Sequence, residues 1–250
     1  MQLPIFIKQL SQAFIDLVYP PLCLHCKSLR QPGFTLFCET CQNALQILSP
    51  DEHCPYCFTP EIEGKSSPCY KCIKQKPEFI SAAVFSYSDS AASLVRQLKY
   101  GNQPYLAKGA GAYMAAQLLN LDWPMPDLIV PVPIAFTRWI TRGYNQSRLL
   151  ADSIGHILNV PVDDLLKRKS GGFSQAGLSH VQRMNMDGSL IELKTGKLFQ
   201  NKKILLIDDV FTTGTTAHKC VQALLEGYPT SVYCLTLCKT YEMLTATSSA

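Results

Sequence analysis

The chain has 250 residues, 47% of them hydrophobic and 17% charged, with a formal net charge of +4. At about 100–200 residues per domain this length holds one large domain or two smaller ones, and so apolar a composition excludes a chain that is disordered by default. The charge is mild and suits an anionic partner without singling one out.

From Leu3 to Val18 the apolar residues fall at helical spacing, with Lys8, Gln9, Gln12 and Asp16 on the other side. Lys8 and Asp16 interrupt the run, which lacks the ~18 uninterrupted apolar residues of a spanning helix. No basic segment leads into a small-residue cleavage site. The spacing predicts an amphipathic helix over residues 1–19, docked on its own protein or lying at a membrane surface. The expected location is cytoplasmic, with peripheral contact at the inner face of a membrane left open.

Eight of the eleven cysteines form CxxC pairs: Cys23/Cys26, Cys38/Cys41, Cys54/Cys57 and Cys69/Cys72. Eleven residues separate the first pair from the second, and eleven the third from the fourth. Each CxxC puts two thiolates on one knuckle, and two knuckles complete a tetrahedral zinc site. A disulfide framework is the competing account. It fits worse, because repeated paired knuckles suit thiolate ligation and no secretory signal precedes them. The expectation is a double zinc ribbon over residues 20–78 with about two structural zinc ions. Sequential and interleaved pairing of the knuckles both satisfy the spacing. His25 and His53 sit beside the ligands and read as bystanders, while Cys220, Cys234 and Cys238 lie in apolar stretches and read as core.

Beyond residue 78 apolar runs alternate with helical stretches. A strand is predicted over Ile80–Tyr87, helices over Ala91–Tyr100 and Leu106–Leu119, and a short apolar run over Asp127–Pro133. A helix over Asn145–Leu158, a strand over Val160–Leu166 and a polar loop over Lys169–Met186 follow. A buried strand Lys203–Ile207, a helix Thr215–Glu226 and a strand Thr230–Leu237 complete the domain, taken as residues 79–242 with a tail over 243–250. Alternating strands and helices predict an α/β fold with a parallel sheet covered on both faces.

The run Ile204–Thr216 carries the main chemistry. Four apolar residues are followed by Asp208 and Asp209, then by Thr212, Thr213, Gly214, Thr215 and Thr216 at the start of a helix. Ligands of open α/β sheets bind at the C-terminal ends of strands. Backbone N–H groups and the helix N-terminus there make a nest for a phosphate. A carboxylate pair beside such a nest calls for donors or a cation, and ribose hydroxyls with Mg²⁺ supply both. The Lys of a nucleoside-triphosphate P-loop is missing. The competing account is a plain strand–turn–helix with capping threonines.

This run is similar to the 5-phosphoribosyl-1-pyrophosphate (PRPP) motif of type I phosphoribosyltransferases, and the chain as a whole resembles the ComF family. Supporting segments are the CxxC pairs after Tyr19, Pro20 and Pro21, then Leu98–Gly101, Ile129–Pro133 with Arg142–Gln146, and Gln175–Ser179. The resemblance implies a phosphoribosyltransferase-like parallel sheet flanked by helices behind the double ribbon. It implies that Asp208 and Asp209 hold the ribose 2′- and 3′-hydroxyls and Thr212–Thr216 the 5-phosphate, with Mg²⁺ accompanying PRPP. Arg138 and Arg142 become pyrophosphate contacts on a loop after Pro133. Gln175, Ala176, Gly177, Leu178, Ser179 and Arg183 become a flexible closing loop, with Arg183 and Lys99 as additional phosphate partners. Seven Lys and Arg against three Asp over residues 138–183 suit such an anionic ligand.

Two functions follow from the resemblance. One is natural transformation, with handling of incoming single-stranded DNA and contacts to an uptake helicase or channel. Arg138, Trp139, Arg142 and Tyr144 offer the basic and aromatic mixture that single strands use. The other is an active phosphoribosyltransferase that displaces pyrophosphate at C1 through an oxocarbenium-like transition state, although no motif identifies its acceptor.

Overall fold

The computed structural model describes residues 21–31, 36–60, 67–169, 190–194, 196 and 199–241. The predicted helix over 1–19, the loop residues Gln175, Ala176, Gly177, Leu178, Ser179 and Arg183, and the tail over 243–250 lie outside the described residues.

The two cysteine modules repeat one local geometry. In each, the first knuckle closes through a residue with positive φ, Lys27 (63°) and Phe58 (56°). Their N–H groups donate to the carbonyls of Cys23 and Cys54. In each, the second knuckle opens a single helical turn, α1 (Glu39–Asn43) after Cys38 and α2 (Tyr70–Lys74) after Cys69.

The rest is an α/β layer. Strands β1 (Ile80–Ser86), β2 (Leu128–Pro131), β5 (Lys203–Phe211) and β6 (Ser231–Lys239) form a sheet in the order β1-β6-β5-β2, parallel at every pairing. Strands β3 (Leu166–Lys169) and β4 (Leu190–Leu193) form a separate antiparallel pair. Successive side chains of a strand point to opposite faces. Leu205 and Ile207 therefore enter one core with helices α3 (Asp89–Tyr100), α4 (Leu106–Asn120) and α6 (Gln146–Leu158), while Ile204 and Leu206 enter a second core with α7 (Thr215–Leu225) and the β3/β4 pair. Burial on both faces is why β5 reads as an unbroken apolar run. Cys220, Cys234 and Cys238 lie fully buried in these cores.

The first core does not stop at the sheet. Phe37, Leu45, Leu48 and Phe58 of the ribbon region belong to it together with Phe85, Leu94 and Met114. Gln117, 3% exposed on α4, donates to the carbonyls of both Leu48 and Ala83. Its single amide ties the ribbon region to the sheet.

Three expectations need correction. The strand predicted over Val160–Leu166 is a single bridge, Ile129 to Val162; Pro161 and the turn around Asp163 break the ladder, and strand geometry begins at Leu166. Strand β5 does not end at Ile207 but runs to Phe211, so Asp208 and Asp209 lie within it. The segment after Pro133, expected as a loop, contains the short helix α5 (Phe136–Arg142), none of whose residues is buried.

Candidate functional site

The C-terminal ends of β2 and β5 and the start of α6 surround a cavity of about 380 Å³. Asp208 and Asp209 line it, set on opposite faces of β5 by strand alternation. Two consecutive residues of α6 reach one carboxylate each. Ser147 Oγ donates to Asp208 Oδ1 at 2.9 Å, and Gln146 Nε2 donates to Asp209 Oδ2 at 2.9 Å. Asn145 fixes this helix start: its side chain accepts from Ser147 N at 3.1 Å and donates to the Val132 carbonyl at 3.0 Å. The cap thus aims residues 146 and 147 at the strand.

Lys99, at the end of α3, completes the arrangement with Nζ 2.9 Å from Asp209 Oδ1. Among the described residues no cation stands within ion-pair distance of Asp208, although the Lys99 charge acts on it. Burial, with the Asp209 charge next, pushes its carboxyl up from 3.8 to about 7, against hydrogen bonds from the Asp209 N–H and Ser147. At neutral pH one carboxylate is paired and the other sits near its titration point.

The loop after β5 narrows sharply at Gly214. Its φ of +77° suits glycine, and an added Cβ would lie 2.6 Å from the Phe211 ring. Gly214 is the N-cap residue of α7, whose first-turn N–H groups point out of the helix end. Thr212 and Thr216 line the cavity, whereas Thr213 and Thr215 bond to each other through their hydroxyls at 2.9 Å.

Among the described residues four cations line the cavity: Lys99, Arg138, Arg142 and Arg168. Arg138 and Arg142 were expected there. Arg168, carried on β3, was not named by the sequence reading. Gln146 and Ser147 were missed as carboxylate partners, although Gln146 closes one of the motifs quoted above. The sequence carried only Asn145 as a candidate cap followed by two polar residues; their burial, at 7% and 2% exposure, shows in the structure. The arrangement offers paired acceptors for vicinal hydroxyls, a helix end for a phosphate, and a cationic wall for further anionic charge.

The cysteines gather as two separate groups, Cys23/Cys26/Cys38/Cys41 and Cys54/Cys57/Cys69/Cys72, each with its sulfurs within 4.8 Å of one another. This is sequential pairing. Tetrahedral zinc with Zn–S of about 2.3 Å needs sulfurs about 3.8 Å apart, and the 3.6 Å separations of Cys26–Cys38 and Cys57–Cys69 fit that geometry. Hydrogen bonds from Ser28 hold the exposed Cys26 thiol down at about 6, while burial pushes Cys41 up to about 12. Both groups could hold a structural metal ion such as zinc, and four sulfurs leave no position for substrate. Neither histidine joins them: His25 Nδ1 is 2.9 Å from Ser93 Oγ and His53 Nδ1 is 2.7 Å from the Ser49 carbonyl.

The second cysteine group abuts the site. Lys239 Nζ donates to the Cys57 carbonyl and lies 5.0 Å from the Phe211 ring centroid, while Tyr241 OH donates to the Phe58 carbonyl at 3.0 Å. Thr240, between them, lines the cavity. Among the described residues no helix is long and apolar enough to cross a membrane.

Comparison with known proteins is consistent across this chain. Residues 141–244 match the family described as "Phosphoribosyl transferase domain". Competence protein F of Haemophilus influenzae is 26% identical over 204 residues, covering 79% of this chain and 87% of that protein. DNA utilization protein YhgH of Escherichia coli is 27% identical over 90% of this chain and 99% of its own length. Competence protein ComFC of Streptococcus pneumoniae is 27% identical over 76% and 80%, respectively.

Proposed function

We propose that this chain, similar over most of its length to Competence protein F, DNA utilization protein YhgH and Competence protein ComFC, is a ComF-family protein that binds PRPP in the cavity at the end of β5 and acts in DNA uptake, handling incoming single-stranded DNA. One observation carries the ligand assignment: adjacent carboxylates on β5 are each held by a side chain at the start of α6, beside an open glycine-hinged helix end. Vicinal ribose hydroxyls are donors that match two such acceptors, and a 5-phosphate matches the helix end.

In this reading Asp208 and Asp209 accept from the ribose hydroxyls, and Thr212–Thr216 surround the 5-phosphate. Arg138 and Arg142 meet the pyrophosphate, Mg²⁺ would accompany the ligand and offset its negative charge, and residues 175–183 close over it. The cysteine groups hold two zinc ions as scaffold. The role in uptake rests on the relatives named as competence proteins, and contact with an uptake helicase or channel is the corresponding partner assignment.

The test is calorimetric titration of the metal-loaded chain with PRPP and Mg²⁺. Saturable binding is expected, and Asp208→Ala combined with Asp209→Ala should weaken it about 100-fold or more, since each lost charged hydrogen-bond acceptor costs about 1.5–3 kcal/mol. Zinc content should stay unchanged. A folded double variant with unaltered affinity would sink the ligand assignment.

A further inference from the structure

A second cavity, of about 430 Å³, adjoins the first. Among the described residues Lys99, Tyr100, Asn102, Thr141, Arg142 and Tyr144 line it, and none that do is acidic. Its chemistry is that of an anion site with an aromatic wall. Tyr100 is 75% exposed, and the Arg142 guanidinium lies 4.9 Å from the centre of its ring. Arg142 Nη1 is buried without a hydrogen-bond partner among the described residues. Such a donor is costly to leave unmade, so an acceptor from outside the chain has a ready place. Tyr144 donates to the Leu98 carbonyl at 2.8 Å and holds the backbone that presents Lys99 and Tyr100.

The helix that carries Arg142 also carries exposed aromatic residues. On the same short helix Phe136 and Trp139 stack with their rings 14° from parallel, at 62% and 50% exposure. The short helix α5 thus carries two arginines and a stacked, exposed aromatic pair. Alternating cations and stacking faces suit a chain of phosphates carrying bases, because every base has a face to stack and every link an anion to pair.

Lys99 and Arg142 line both cavities. We propose that the second cavity seats a phosphate and its adjacent base of a single-stranded nucleic acid, and that the strand and the phosphoribosyl ligand exclude one another through these two shared cations. This rests on the reading of the first cavity as a PRPP site and of DNA as a partner. The sign follows from charge. Two polyanions beside one another compete for the same ammonium and guanidinium, and their own repulsion adds to the competition. A strand that draws Lys99 toward the second cavity also takes it from Asp209, so the ribose acceptors lose their neutralising partner. Because coupling between sites is reciprocal, PRPP weakens the strand by the factor by which the strand weakens PRPP.

The experiment measures fluorescence anisotropy of a labelled oligothymidylate on the full metal-loaded chain, with PRPP and Mg²⁺ titrated at constant ionic strength. The apparent Kd for the strand should rise about tenfold at saturating PRPP, within the usual range of site coupling. Tyr100→Ala should weaken the strand about tenfold while PRPP affinity by calorimetry changes little, and Tyr100→Phe should keep strand binding, since it keeps the stacking face. Thymidine monophosphate that competes as well as the oligonucleotide would overturn the strand in favour of a free nucleotide. Strand binding that ignores PRPP would overturn the exclusion, and strand binding that ignores Tyr100→Ala would overturn the location. A chain that binds PRPP but no strand at low salt would overturn this inference and the DNA partner while leaving the PRPP reading in place. One that binds the strand but not PRPP would overturn the exclusion and the PRPP reading together.

Discussion

Lys99 Nζ stands 2.9 Å from Asp209 Oδ1, across the gap between the end of α3 and the end of β5. With Asp209 only 6% exposed and Lys99 22%, this is no surface bridge. Its loss strands a buried carboxylate. Lys99→Met should lower the unfolding free energy by about 1–3 kcal/mol, below the full cost of breaking a buried pair because Lys99 keeps some solvent. Adding Asp209→Asn to the same chain should recover part of the loss. A double-mutant cycle in urea checks this, and additive changes would mean that the two residues do not interact.

Asp208 makes stability depend on pH in a defined direction. Its folded value lies at about 7 against an ordinary 3.8, chiefly through burial. A carboxyl raised in this way contributes most below its ordinary value, and the contribution is lost as pH rises from about 4 to about 7. Asp208→Asn carries no charge, so its stability should gain on the wild type across that window. Denaturation at about pH 5 and about pH 8 measures the difference, and a constant offset would contradict it.

Gly214 is tested by Gly214→Ala. The new methyl faces both a φ of +77° and the Phe211 ring, which together predict a loss of about 1–2 kcal/mol or a shifted loop. PRPP affinity should fall with it, because the first-turn N–H groups of α7 follow directly from this residue. Thermal denaturation and calorimetry read the two effects separately.

Metal analysis should find two zinc ions per chain, one for each four-sulfur group. Cys54→Ser should remove one and keep the other. Since Phe58 of that module belongs to the core under the sheet, the same change should also lower the melting temperature of the α/β layer. A variant that lost the metal but melted unchanged would show the modules to be energetically separate.

Much of this architecture was readable because it follows periodicity. Leu106–Asn120 and Gln146–Leu158 bury one face each, and β5 is apolar on both, so helical and strand patterns were written plainly into the residues. What escaped has a physical reason in each case. Aspartates are poor strand formers, so the run was expected to stop at Ile207; pairing of Asp208 with Thr236 and Phe211 with Lys239 carries it on. Helix α5 packs nothing into a core, so it leaves no apolar period to read. The grip of Gln146 and Ser147 on the carboxylates depends on where α6 meets β5, across more than sixty residues of chain, and no local pattern encodes that distance.

Strand β6 is the last described strand in the chain, yet it lies in the sheet's interior, between β1 and β5. During synthesis β1 must therefore wait for the strand it pairs with until about 150 further residues have been made. Until then α3 and α4 can cover its apolar face, but the long edge that β6 will pair stays open. Long-range parallel pairing of this kind is slow and leaves sticky surface in view. Early metal capture by the two cysteine modules would give the emerging chain a fixed point to fold against. A nascent chain truncated before Ser231 should remain sensitive to protease even when its cysteines are fully loaded.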